Sequence, residues 1–313
     1  MIAALDRRFM APSSAERIAA VRVLVGLFGT VYVAMRSSYI LDIAQLPDAR
    51  FQPVGVLAGL DAPLPLGVVR LLLGATLLAG AAFVFGWRYR FVAPVYAVGL
   101  LLVTTYSNSW QHVAHVENLV VLHTAVLAIA PAAAVWSLDE RRRDDAPESP
   151  HADYGWPLRV MTLLTVITYV LAGLAKLRHG GGDWVSGDVL RNLIAHDNLR
   201  KILLGDVHSA IGGRLVSHAW LFLPLALGSL VVELGAPMVF IGPRVRRAWI
   251  LAAWLFHVGV LVLMAITFFY PLSGIAYASM LHPEVMFERV RGRLRRRAPA
   301  DARLAAYGRG DAG

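Results

Sequence analysis

The 313-residue chain contains no cysteine, which excludes disulfides, thiolate metal ligands and iron–sulfur clusters and leaves its compartment open. Charge is scarce as well. Only 16% of the residues are Asp, Glu, Lys or Arg, against roughly a quarter in an ordinary soluble domain, while 57% are hydrophobic. The hydrophobic residues gather in runs long enough to cross ~30 Å of hydrocarbon. Lipid offers the backbone no hydrogen-bond partners, so such runs span as helices. The composition therefore predicts an all-α, polytopic membrane bundle. Little chain lies between the runs, which leaves no room there for a second folded domain. The net charge of +9 does not point to nucleic acid. The arginines sit in loops and in the tail "ERVRGRLRRRAPADAR", as on cytoplasmic faces of membrane proteins.

Seven spans are clear, at 18–35, 66–85, 91–108, 116–136, 157–177, 219–241 and 248–266. The start of the chain places charges before an apolar run, as a signal peptide would. That run is long and no small-residue cleavage site follows, so it counts as the first span. Arg7, Arg8 and Arg17 precede it, Arg88 and Arg90 follow the second span, and "ERRRDD" follows the fourth. Arg244, Arg246 and Arg247 follow the sixth, whereas 107–115 has no Lys or Arg. This alternation predicts cytoplasmic termini, and an even number of crossings then promotes 268–282, "FFYPLSGIAYASMLH", to a short or broken eighth span. The bundle is expected over 1–285, with a basic, disordered cytoplasmic tail over 286–313 that is drawn to anionic lipid. Segment 178–218, with the weakly amphipathic "NLRKILLGDVHSAIGG", is expected on the outer surface.

Polar residues in and beside the spans need a reason. "SNSWQHVAHVENLVVLH" (107–123) brings His112, His115, Asn118 and His123 to the outer end of span four. The three histidines share one helical face within about 80° of arc, yet His112 and His123 lie roughly 16 Å apart along the axis. One metal cannot take all three, and no acidic or third histidine partner has ligand spacing, so no metal is expected. Interfacial anchoring accounts for His112 and His115 but poorly for His123, two turns deeper. In "YVLAGLAKLRHGGGDWVSG", Tyr169, Ala172, Gly173 and Lys176 share a face whose small residues permit close helix packing. Lys176 either snorkels to the surface or is desolvated among helices, which favours the neutral amine that a base requires. The glycines after it suggest a bend that drops Asp183 and Trp184 onto the outer surface. Glu233 and His257 fall inside spans, at matching depths, and are expected to pair as a structural contact or a proton relay.

Together, "SWQHVAHVENLVVLH", "AVWSLD", "YVLAGLAKL", "DWVSG", the acid of the sixth span and "WLFH" resemble the horizontally transferred transmembrane (HTTM) family. That family includes the membrane part of vitamin K-dependent γ-glutamyl carboxylases, and the resemblance covers roughly residues 15 to 285. It implies a reduced vitamin K or menaquinol cofactor. In the carboxylases the hydroquinone is deprotonated and reacts with oxygen to give a strong base. That base removes a substrate γ-proton, and CO₂ adds. The initiating base is the lysine that matches Lys176. His112, His115, Asn118, His123, Tyr169 and Trp184 would then line or gate a quinone site open to the extracytoplasmic side. The carboxylases carry a large soluble domain after the spans, where this chain has a short basic tail. The resemblance thus leaves two expectations. One is a hydroquinone-dependent, carboxylase-like enzyme of the cell membrane. The other is a non-catalytic membrane accessory protein for maturing or exporting a small secreted peptide. An enclosed Lys176 favours the first and an exposed one the second.

Overall fold

The computed structural model describes residues 10–110, 116–142 and 145–297. These are helical and carry no strand; the one β-bridge, between Ser13 and His151, is isolated. Helix α1 (Ala15–Ile43) is capped by Ser14, whose Oγ accepts from the Arg17 amide. Helices α2 (Leu66–Phe85) and α3 (Tyr89–Asn108) form a tight hairpin. Gly86 (φ 62°) turns the chain between them, and the Asp139 carboxylate caps α3 by accepting from the Arg88 and Tyr89 amides, each at 2.8 Å. Then come α4 (Asn118–Ile129), α5 (Ala152–Val185), α6 (Asp188–Leu203), α7 (Ala210–Leu215), α8 (Phe222–Leu234) and α9 (Pro243–Met264). Short helix α10 (Phe269–Leu272), a 3-10 turn at Ile275–Met280 and α11 (Glu284–Arg297) complete the described chain.

Five of these helices, α1, α2, α3, α5 and α9, are long and apolar enough to cross a membrane. Their outward side chains suit lipid: Leu71, Leu78 and Phe91 are all more than 70% exposed. The expected fourth and sixth spans are shorter than their apolar runs. Helix α4 stops at Ile129 because Pro131 follows. Helix α8 gives way at Gly235 to a 3-10 turn, Ala236–Phe240, with Pro237 in its first positions. The 268–282 run breaks into two pieces around Gly274 (φ 76°). The tail departs from expectation in the other direction, since Glu284–Arg297 is a helix; residues 298–313 lie outside the described chain.

Close approach holds the first three helices together. A Cβ at Gly80 of α2 would strike the Thr30 hydroxyl of α1 and lie 2.8 Å from the Tyr96 ring of α3, so only glycine lets these backbones meet. One charge inside the bundle carries no motif. Arg22, fully buried in α1, donates to the carbonyls of Ala132 (2.9 Å) and Trp136 (2.6 Å). Those carbonyls belong to the irregular chain after α4, where no helical amide reaches them, so Arg22 supplies what lipid cannot.

The starts of α1 and α5 and the end of the last irregular pass share one end of the bundle. Ser13 bridges His151, the Ala15 amide donates to Ser149 Oγ, and Arg17 Nη2 donates to Ser279 O at 3.0 Å. Helices α6 and α7 follow directly from the far end of α5.

Candidate functional site

Lys176 Nζ donates to Glu233 Oε1 at 2.6 Å, an ion pair between α5 and α8. The contact fixes the two side chains at one depth, about 17 Å along α8 from its first residue. It depends on a glycine one turn before the lysine: a Cβ at Gly173 would lie 2.8 Å from Leu234 Cδ2 and 3.1 Å from Glu233 Cβ. The charged string after Lys176 reads as the end of span five, but the helix that carries it runs on to a bend at Gly181. The Lys176 side chain keeps 20% exposure and that of Glu233 only 4%. The expected partner of Glu233 was His257, whereas the partner it has is Lys176.

Beyond Lys176 the helix bends at Gly181 (φ 50°, ψ −132°), and the next turn carries Trp184 back over the lysine. The bend after Lys176 is therefore where the glycines suggest it. Trp184, however, is buried rather than laid on the surface, while Asp183 is exposed. Nζ lies 4.9 Å from the centroid of the Trp184 ring and 5.1 Å from that of Phe256, distances at which an aromatic face attracts a cation. Lys176 is thus held by one carboxylate and two rings.

This group stands in the wall of a half-open cavity of about 900 Å³ between α5, α8 and α9, lined mainly by apolar side chains. Tyr169 and His257 share the cavity and bind each other, Tyr169 Oη to His257 Nε2 at 2.8 Å; Tyr169 Oη also meets Tyr277 Oη at 2.7 Å. Leu190, Leu193 and Ile194 of α6 line it as well. Two buried polar atoms in its walls, Trp184 Nε1 and Glu233 Oε2, have no hydrogen-bond partner among the described residues.

The HTTM domain model matches residues 10–284, nearly the whole chain. This chain belongs to the HTTM domain family. No curated protein and no solved structure matches it.

Of the residues singled out in the sequence of this HTTM protein, Lys176, Tyr169, Trp184, Glu233 and His257 meet at one cavity. Of the histidine-rich stretch, Val116 and Leu119 line the cavity, but Asn118 and His123 do not join it as expected. His123 is fully buried, with Nδ1 bonded to Tyr270 Oη (2.8 Å) and Nε2 to Met161 O (3.1 Å) and Thr165 Oγ1 (3.2 Å). Both ring nitrogens are used in tying α4 to α5 and α10, so His123 holds helices together and does not line the cavity. Asn118 is exposed at the start of α4. His112 and His115 lie outside the described residues. Glu117 is buried and accepts from the Tyr32 hydroxyl. Among the described residues no group of three or more potential ligands could hold a metal.

Sequence reading missed the roof of the site and its latch. Asn198 Nδ2 donates to Leu263 O (3.0 Å), Lys201 Nζ to Met264 O (2.5 Å) and Ser209 Oγ to Val262 O (2.5 Å). These carbonyls end α9, where helical amides no longer reach them. Lys201 is also paired with Asp197 at 2.9 Å. Burial alone would raise the Asp197 carboxyl, but hydrogen bonds and charge from Lys201 and Arg200 together hold it below its ordinary value. A signal for the lysine of this cavity was available in the composition: of 30 basic residues only Lys176 and Lys201 are lysines. The second is committed to a helix end, and the first is the one that reaches the cavity.

Proposed function

We propose that this chain is a membrane enzyme that holds a reduced quinone in the Lys176 cavity. With oxygen, it drives proton abstraction and carboxylation, or a related modification, of a substrate at the extracytoplasmic face. The observation that carries this reading is that Lys176, 20% exposed, pairs with the buried Glu233 in the wall of an apolar cavity, where an anchor would turn to the surface. The chamber suits the cofactor. Its volume falls within the ~300–1,000 Å³ of small-molecule sites. Among the described residues its walls offer one donor, Trp184 Nε1, and one acceptor, Glu233 Oε2, without a partner, which matches a hydroxyl-bearing ring. Trp184, Glu233 and Lys176 would hold the polar head, with Tyr169 and His257 beside them. When bound, a hydroquinone supplies the reducing equivalents for the reaction with oxygen. Within the protein, Lys176 accepts a hydroxyl proton at Nζ, the cavity walls exclude water, and Trp184 orients the ring oxygen through its N–H.

The same reading places the protein in the cell membrane with eight crossings and both termini cytoplasmic, so that α6 and α7 lie outside and a small secreted peptide can serve as substrate. The loop arginines support this orientation, and Lys176 lies in the half of α5 away from the basic end. Cysteines introduced singly at Asn108 and Gly313 should label from opposite sides of intact cells; labelling from one side only would overturn the orientation.

Cofactor binding is tested by thermal unfolding of the purified protein with menaquinol. At a hundredfold excess over its dissociation constant the quinol should stabilise the fold by about 2.7 kcal/mol. Gly228 lines the cavity with open space where a side chain would go, so Gly228→Trp should fold and lose that stabilisation. Equal stabilisation of both proteins, or of neither, would contradict the assignment.

A further inference from the structure

Lys176 as it stands is not yet a base. Paired with a carboxylate at 2.6 Å and flanked by two aromatic faces, its nitrogen is an ammonium, with three donors and no lone pair. Glu233 supplies a counter-charge to it, and the Trp184 and Phe256 rings attract cations. To accept a proton, the amine must first give one up. Within the apolar cavity a proton cannot leave for bulk water without stranding charge. The Glu233 carboxylate, already hydrogen-bonded to the amine, is the acceptor within reach.

We propose that Glu233 is the terminal proton acceptor of this site, with Lys176 as the relay that touches the substrate hydroxyl. As the hydroxyl O–H bond breaks, an N–H bond forms at Lys176; one of the lysine's own N–H bonds breaks, and an O–H bond forms at Glu233 Oε1. One negative charge moves from the carboxylate to the substrate oxygen. The cavity's net charge is unchanged, and Lys176 ends as an ammonium beside the new oxyanion. This charge balance is why the carboxylate belongs there. A lone lysine would have to be stripped of its proton at the outset, and a lone carboxylate would leave the oxyanion without a partner in a low-dielectric space. Gly173 is part of the device, because its missing Cβ lets Glu233 approach closely enough for the transfer.

The inference rests on the cavity binding an acidic hydroxyl, and the test separates the two ideas. The full chain in lipid nanodiscs is titrated with 4-nitrophenol, whose phenolate is read by its visible absorbance. Infrared difference spectra with ¹³C-carboxyl glutamate are recorded alongside. Wild-type protein is expected to bind the phenolate and gain one isotope-sensitive carboxylic C=O band. In Glu233→Gln that band should vanish, and the phenolate fraction should fall by about tenfold, equivalent to one pKa unit. Glu233→Asp, which keeps a carboxyl one methylene shorter and is labelled with ¹³C-carboxyl aspartate instead, should recover both signals in part even if the Gln variant folds poorly. Phenolate binding that is as strong in Glu233→Gln as in wild type, with no carboxylic band in either, would make Lys176 the sole acceptor and overturn the proposal while leaving the cavity reading intact. Failure of wild type to bind the phenol at all, while menaquinol still stabilises the fold, would overturn the proposed relay without removing the quinone site.

Discussion

Replacing Glu233 with alanine should destabilise the protein by about 3 kcal/mol, the low end of the ~3–5 kcal/mol lost when one partner of a buried ion pair is removed. The low end applies because the Lys176 side chain keeps 20% exposure while that of Glu233 has 4%. What is lost is mainly the compensation for an ammonium held among Trp184, Phe256 and the walls of an apolar cavity. The same loss should follow without touching either charge. At Gly173→Val the new side chain would begin 2.8 Å from Leu234 Cδ2, forcing α8 away from α5 and lengthening the ion pair. Thermal unfolding in detergent micelles measures both. Wild-type stability in Glu233→Ala would mean that Lys176 finds solvent or headgroups unaided, and the partly buried ion pair described above would not hold the site together.

Much of this site could be read before the structure, and the failures have physical causes. The face shared by Tyr169, Gly173 and Lys176 follows from helical spacing alone, and the glycine on it does what small residues do at helix interfaces. Glu233 and His257 were recognisable because an ionisable group inside a span is expensive and faces the bundle. The pairing of Glu233 with Lys176 was not recognisable. In a sequence, charge marks the end of a span, whereas α5 runs past Arg178 and His179 before it bends at Gly181. His123 looked functional because it lies too deep for an anchor; three hydrogen bonds to α5 and α10 explain it instead. Segment 178–218 was legible as a connection that does not span but not as a roof. Its latch joins side chains of α6 and α7 to backbone carbonyls at the end of α9, and backbone acceptors leave no mark in a sequence. Arg22 was silent for the same reason.

Lys176→Ala should abolish quinol-dependent turnover while the protein remains in the membrane, since α5 loses only a side chain at the cavity wall. Lys176→Arg is the sharper substitution. It preserves the positive charge, and its guanidinium can still pair with Glu233 and lie against aromatic rings, so anchoring and packing survive. A guanidinium does not give up its proton at any accessible pH, and it can neither act as a base nor relay a proton to the carboxylate. The most direct measurement is therefore oxygen uptake by wild type and Lys176→Arg, purified in parallel into the same lipid and supplied with menaquinol. Proton transfer through Lys176 predicts saturable uptake in the wild type and none above the protein-free rate in the arginine variant. Equal uptake by the two proteins would show that the lysine is a structural cation and would contradict the account.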